Sequence, residues 1–182
     1  SAGCNWRCWY CYVPFEDLTA RRGDFVSVNQ MVETVRHEPR PVMLDLTGGQ
    51  PDLTPEWPWW MLQALDSNGL DDVYVWSDDN LSTDYLWRYL DRDQIDYLGA
   101  HPRYGRACCL KGFDATSFSF NTKASAAAYD FQFDLLQRLQ NETSIDYYLY
   151  VTFTTPTNQG LESNMRRFVD RRFDGAACRR IA

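Results

Sequence analysis

The chain has 182 residues, 45% of them hydrophobic and 15% aromatic, enough to bury the core of one globular domain. Its 25 acidic residues outweigh 18 strong bases, for a net charge of -7. No apolar run approaches the roughly 20 residues of a membrane helix, which excludes that class and predicts a soluble protein.

Helix-like and strand-like segments alternate along the chain. Ser27 is placed to cap a helix reaching about His37, and Pro41 to Leu46 follows as a strand. Thr54 reads as the cap of a helix with Pro55 in its first position and Glu56 next, stopped after Ser67 by Asn68-Gly69. The next strand is Val73-Tyr74-Val75-Trp76. It leads into a polar turn, Ser77-Asp78-Asp79-Asn80, after which Ser82 or Thr83 opens a helix to about Asp91. Ile95 to Ala100 admits a strand, but Arg106 to Phe113 reads better as one because Lys111-Gly112 punctuates its end. A helix from Ala124 to about Leu139, a strand from Ile145 to Thr154 and a helix from about Leu161 to Phe173 complete the pattern. Such alternation predicts an α/β fold, a parallel sheet covered by helices.

Two motifs carry chemistry. The first is Cys4-Asn5-Trp6-Arg7-Cys8-Trp9-Tyr10-Cys11, three thiols with the spacing CxxxCxxC. Thiolates are soft ligands that select iron-sulfur clusters, zinc or copper(I). A cubane of four irons normally takes four thiolates, so a set of three leaves one iron open. A structural zinc site takes two well-separated ligand pairs, and no second pair follows. A disulfide framework belongs to small stapled scaffolds, which six cysteines in this length do not make. The second motif ends the first predicted strand: Leu44-Asp45-Leu46-Thr47-Gly48-Gly49-Gln50-Pro51. Its two glycines let the backbone approach a ligand without an intervening side chain.

Together the motifs resemble the signature of the radical S-adenosylmethionine (SAM) superfamily. The resemblance implies a [4Fe-4S] cluster on Cys4, Cys8 and Cys11, with SAM chelated to the open iron and the ring of Tyr10 against its adenine. Gly48, Gly49, Gln50 and Pro51 resemble the family's GGEP motif, which contacts the amino group of SAM. Gln50 departs from the usual glutamate. Its amide oxygen still accepts from an ammonium but brings no charge, so Gln50→Glu is expected to tighten SAM. The turn from Ser77 to Asn80 stands where related activating enzymes carry Thr-Asn-Gly, which implies that Ser77 and Asp79 bind the ribose or methionine end of SAM. Lys111 resembles the lysine of an Asp-x-Lys motif in enzymes that install glycyl radicals, although Cys109 occupies the Asp position.

The fold implied is a partial TIM barrel, an incomplete (β/α)6 core spanning residues 1 to 182. The chain looks like a fragment that lacks the first strand and the C-terminal end. The chemistry implied is reductive cleavage of SAM to a 5'-deoxyadenosyl radical that abstracts hydrogen from an unknown substrate. An electron donor of ferredoxin or flavodoxin type is the expected partner. Alternatives are a glycyl-radical-type activating enzyme acting on a partner protein, and a non-catalytic iron-sulfur or zinc-binding protein. With no targeting-like segment ahead of Cys4 and a cluster that needs free thiolates, a cytoplasmic location is expected.

The remaining signals are bland. Only Lys111 and Lys123 are lysine among the bases, a skew shared by halophilic proteins and by arginine-favouring genomes. Cys108 and Cys109 are adjacent on a strand, so burial of one thiol is expected. His37 and His101 each stand alone and read as structural. Thr152 and Thr154 alternate on the last strand, turned either to the ligand or into packing. Arg166-Arg167, Arg171-Arg172 and Arg179-Arg180 read as a solvated helix face, with Asp170 pairing Arg166 at i, i+4, more than as a surface for nucleic acid.

Overall fold

The computed structural model describes residues 3–19, 24–37, 39–152, 154–155 and 161–172. Among the described residues, four strands form one sheet: β1 (Met43–Leu46), β2 (Tyr74–Asp79), β3 (Tyr104–Leu110) and β4 (Tyr147–Val151). They lie in the order β1-β2-β3-β4 and every pairing is parallel, with Leu46 opposite Ser77, Asp79 opposite Cys108 and Leu110 opposite Val151. Parallel neighbours require crossovers, and these are helical. The helices are α1 (Val28–Arg36), α2 (Glu56–Ser67), α3 (Tyr85–Tyr89), α4 (Arg92–Ala100), α5 (Ala115–Thr122), α6 (Ala128–Glu142) and α7 (Leu161–Arg172). The architecture is α/β, a parallel sheet with helical crossovers as the alternation of elements predicts, and it accords with the partial barrel that the resemblance implies. Among the described residues, no helix is long and apolar enough to cross a membrane.

Strand period 2 sorts the side chains. Val75, Leu46, Cys108 and Leu149 pack with Met61 and Leu65 of α2, Ile95 and Leu98 of α4, and Leu135 and Leu139 of α6 in the main core. Strand β3 is buried along its whole length, so both Cys108 and Cys109 are buried, not one of them. Gly105 makes this possible on the other face: a Cβ there would lie 2.4 Å from the Trp76 ring. A second cluster joins Trp6 and Cys8 to Phe118 of α5 and Tyr129 of α6, with the Trp6 and Phe118 rings 5.2 Å apart and edge to face.

Several boundaries differ from the sequence reading. Strand β2 runs on through Ser77, Asp78 and Asp79, which therefore belong to the sheet and not to a turn. The helix expected from Ser82 or Thr83 to Asp91 is α3, which is shorter and is the first of two helices in succession, α3 and then α4. Asp91 caps the second, accepting from the Gln94 amide at 2.9 Å while Gln94 Oε1 accepts from the Asp91 amide at 3.0 Å. That capping box places Ile95 to Ala100 in α4, not in a strand. Thr54 makes no side-chain cap; a short 3-10 turn, Pro51–Leu53, precedes α2. Helix α5 was not expected, although Asp114 caps it through the Ser117 amide at 2.7 Å. Arg166 pairs with Glu162 at 2.8 Å, where Asp170 was expected. Cys178, Arg179 and Arg180 lie outside the described residues.

Candidate functional site

In parallel β/α architectures, ligand-binding loops gather at the carboxyl ends of the strands. Here those ends and the cysteine segment enclose a cavity of about 220 Å³. Cys4, Cys8 and Cys11 all line it, together with Thr47, Gly48 and Gly49 from the end of β1. Asp78 contributes from β2, and Asn80, Lys111 and Thr152 from the positions just past the ends of β2, β3 and β4.

The cysteine segment is held from outside the sheet. The amides of Arg7 and Trp9 donate to the carbonyls of Thr122 and Asn121 at 2.9 and 3.1 Å, docking it on the last turn of α5. Arg7 Nη1 donates to the Cys4 carbonyl at 2.8 Å, which stiffens the turn between the first two thiols. All three thiols are free. Burial pushes the Cys8 thiol up, partly opposed by Lys111. Among the described residues, no three His, Cys, Asp or Glu side chains close around a single ion. A mononuclear zinc would need its sulfurs within about 2.3 Å of one point. In a cubane each thiolate meets its own metal, so three thiols on one cavity need not converge on a single ion.

Tyr10 is 36% exposed and its hydroxyl bonds Thr152 Oγ1 at 3.2 Å. Burial pushes its phenol up to about 12, so it stays protonated. Lys111 Nζ stands 6.0 Å from the Tyr10 ring centroid. Burial works against its charge, yet Cys109, Tyr10 and Cys8 around it outweigh that and hold the ammonium above its ordinary range. Gly48 adopts φ 84°, a left-handed conformation that explains the glycine at the mouth of the cavity.

The structure therefore brings together Cys4, Cys8, Cys11, Tyr10, Gly48, Gly49 and Lys111, but turns other sequence candidates inward. Gln50 is 0% exposed; its Nε2 donates to Asp79 Oδ1 at 3.0 Å and its Oε1 accepts from the Asn80 amide at 2.9 Å. Pro51 is buried beside it. Ser77 shares a hydrogen bond with the Tyr104 hydroxyl at 2.8 Å, and Asp79 joins Arg106 and Asp52 in a buried ion network. Period-2 alternation is the reason: with β2 continuing through Asp79, Ser77 and Asp79 share the buried face, and Asp78 takes the cavity face. Asp78, which accepts from the Thr47 hydroxyl, and Asn80 are the residues that reading the segment as a turn missed. Thr152 is on the cavity, whereas the Thr154 hydroxyl donates to Asn121 Oδ1 at 2.6 Å. His37 lies 3.2 Å from Glu33 and His101 3.5 Å from Asp66, both away from the cavity.

No family model matches the chain and no curated protein does. Among solved structures, the fold is similar to that of SuiB from Streptococcus suis. In the structure of SuiB bound to the precursor peptide SuiA, the TM-score is 0.59 at 12% identity, over 93% of this chain and 35% of that one. SuiB bound to S-adenosylmethionine gives 0.58 at 12% identity, over 93% and 36%. A further SuiB structure gives 0.56 at 12% identity, over 92% and 34%. At this identity the likeness is one of fold. The chain spans about a third of the length of the SuiB chain.

Proposed function

We propose that the chain is the catalytic core of a radical SAM enzyme. The observation that carries this reading is that all three cysteines of CxxxCxxC line one cavity together with Gly48 and Gly49, at the carboxyl ends of a parallel β/α sheet. The similarity in fold to SuiB, whose structure includes a complex with S-adenosylmethionine, supports it.

Cys4, Cys8 and Cys11 would hold a [4Fe-4S] cluster. With SAM bound there, such a cluster would supply one-electron chemistry for the reductive cleavage of SAM. The chain's own part is binding and exclusion. Gly48 and Gly49 let backbone reach the ligand, the Tyr10 ring supplies an apolar surface for adenine, and the Lys111 ammonium offers a charge-assisted bond to a carboxylate. Thr152 fixes Tyr10 through its hydroxyl. A peptide is the substrate class we favour, since SuiB has been seen with a precursor peptide. A ferredoxin- or flavodoxin-type donor and the reducing cytoplasm complete the reading. Activation of a glycyl-radical enzyme is the second reading, favoured by Lys111 on the cavity and opposed by Cys109, buried behind it, where Asp is usual.

Anaerobic reconstitution tests the cluster. The wild type should bind about four irons per chain and show a broad thiolate-to-iron absorption that bleaches on reduction. Cys4→Ala, Cys8→Ala or Cys11→Ala should each abolish it, and Cys178→Ala should not. Stoichiometric zinc in the wild type, or full iron content in Cys8→Ala, would overturn the assignment.

A further inference from the structure

We infer that Asn80 is a hydrogen-bond donor to the Cys4 sulfur that sets the reduction potential of the cluster, and that two buried glutamines hold it in place. The inference rests on the cluster proposed above. Asn80 Nδ2 lies 3.8 Å from Cys4 Sγ, within reach of an N–H to sulfur hydrogen bond. A hydrogen bond to a ligating thiolate draws electron density off the sulfur and stabilises the more negative, reduced state, so it raises the potential.

The placement of Asn80 is fixed from both sides. Its amide donates to Gln50 Oε1 at 2.9 Å, and its carbonyl accepts from Gln132 Nε2 at 2.7 Å. Both glutamines are 0% exposed. Gln132 Nε2 also donates to the Cys109 carbonyl at 3.0 Å, tying the end of β2 to the end of β3. The next residue, Leu81, sits at φ 53°, a conformation leucine rarely adopts, with its amide donating to Asp79 Oδ1 at 2.7 Å. A residue clamped by two buried amides beside a strained neighbour has the marks of a pre-organised group. Gln50 thus has a function other than ligand contact: it aims Asn80 at the sulfur.

The test is a redox titration, followed by electron paramagnetic resonance, of the cluster-loaded wild type, Asn80→Ala and Asn80→Asp. The midpoint should move to more negative values in Asn80→Ala. It should move further in Asn80→Asp, which keeps the size of the side chain, loses the donor and places a negative charge beside the sulfur. Gln132→Met should lower the potential of the wild type and add nothing in the Asn80→Ala background, since both changes remove one interaction. Arg40→Ala, which breaks an exposed pair with Asp72, should leave the potential in place. Should Gln132→Met fail to fold, the nearly isosteric Asn80→Asp decides. Cluster-loaded Asn80 variants with the wild-type potential would overturn the inference while leaving the cluster standing. A wild type that assembles no cluster would overturn the proposed function and this inference with it.

Discussion

Arg106→Leu should lower the free energy of unfolding by about 3–5 kcal/mol, the usual cost of removing one partner from a buried ion network. The guanidinium Nη2 contacts Asp52 and lies 3.4 Å from Asp79, and side-chain exposure is 5% or less for all three. Burial opposes the charge on Arg106, but the carboxylates of Asp79 and Asp52 outweigh it and hold the guanidinium well above its ordinary range. One cation between two carboxylates leaves the cluster short of positive charge. Burial, only partly offset by Arg106, therefore pushes the Asp52 carboxyl up. Without Arg106, two carboxylates face each other out of water. Chemical denaturation measures the loss, and Asp52→Asn in the Arg106→Leu background should recover part of it. A loss under about 1 kcal/mol would mean that the network does not hold the strand ends. Its place gives it a functional reach: Asp52 follows the Gly48-Gly49 segment and accepts from Thr83 Oγ1 at 2.9 Å, tying the first strand-end loop to the second.

Gln50→Glu should destabilise the protein by about 2–4 kcal/mol near pH 8, because a new carboxylate would replace an amide that donates to Asp79 Oδ1 in a site closed to water. Burial and Asp79 would both raise the folded pKa of the introduced carboxyl above the value near 4.3 of a glutamate in an unfolded chain. A raised folded pKa means that the folded state binds the proton more tightly. The penalty is therefore full above the folded pKa and shrinks as pH falls through it. Unfolding curves of the variant and wild type at several pH values check both size and sign. The sequence alone suggests that this change tightens SAM. Tighter SAM binding with unchanged stability would put Gln50 on the cavity and contradict its buried position.

What was legible in the sequence was local. The cysteine spacing and Gly48-Gly49 lie within short segments, and their neighbours along the chain are their neighbours in the cavity. The α/β class was legible because hydrophobic period and turn residues recur along the whole chain. The orientation of Ser77, Asp78 and Asp79 was not, because it depends on where β2 ends, and three polar residues in a row resemble a turn more than a strand. Their polarity makes sense only with Arg106, Gln50 and Tyr104 in place, all 27 or more positions away. Helix α5 escaped for a related reason: Ala115 to Thr122 carries no apolar stripe at helical spacing, and its Phe118 is buried by Trp6, over a hundred residues earlier. The same distance hides Asn80, whose contact with Cys4 spans 76 positions.

The most direct test of the account is product analysis after reduction of the cluster-loaded protein with SAM under anaerobic conditions. The account predicts 5'-deoxyadenosine and methionine in equal amounts, formed only with reductant and absent in Cys8→Ala. Folded, iron-loaded and reduced protein that leaves SAM intact would contradict it.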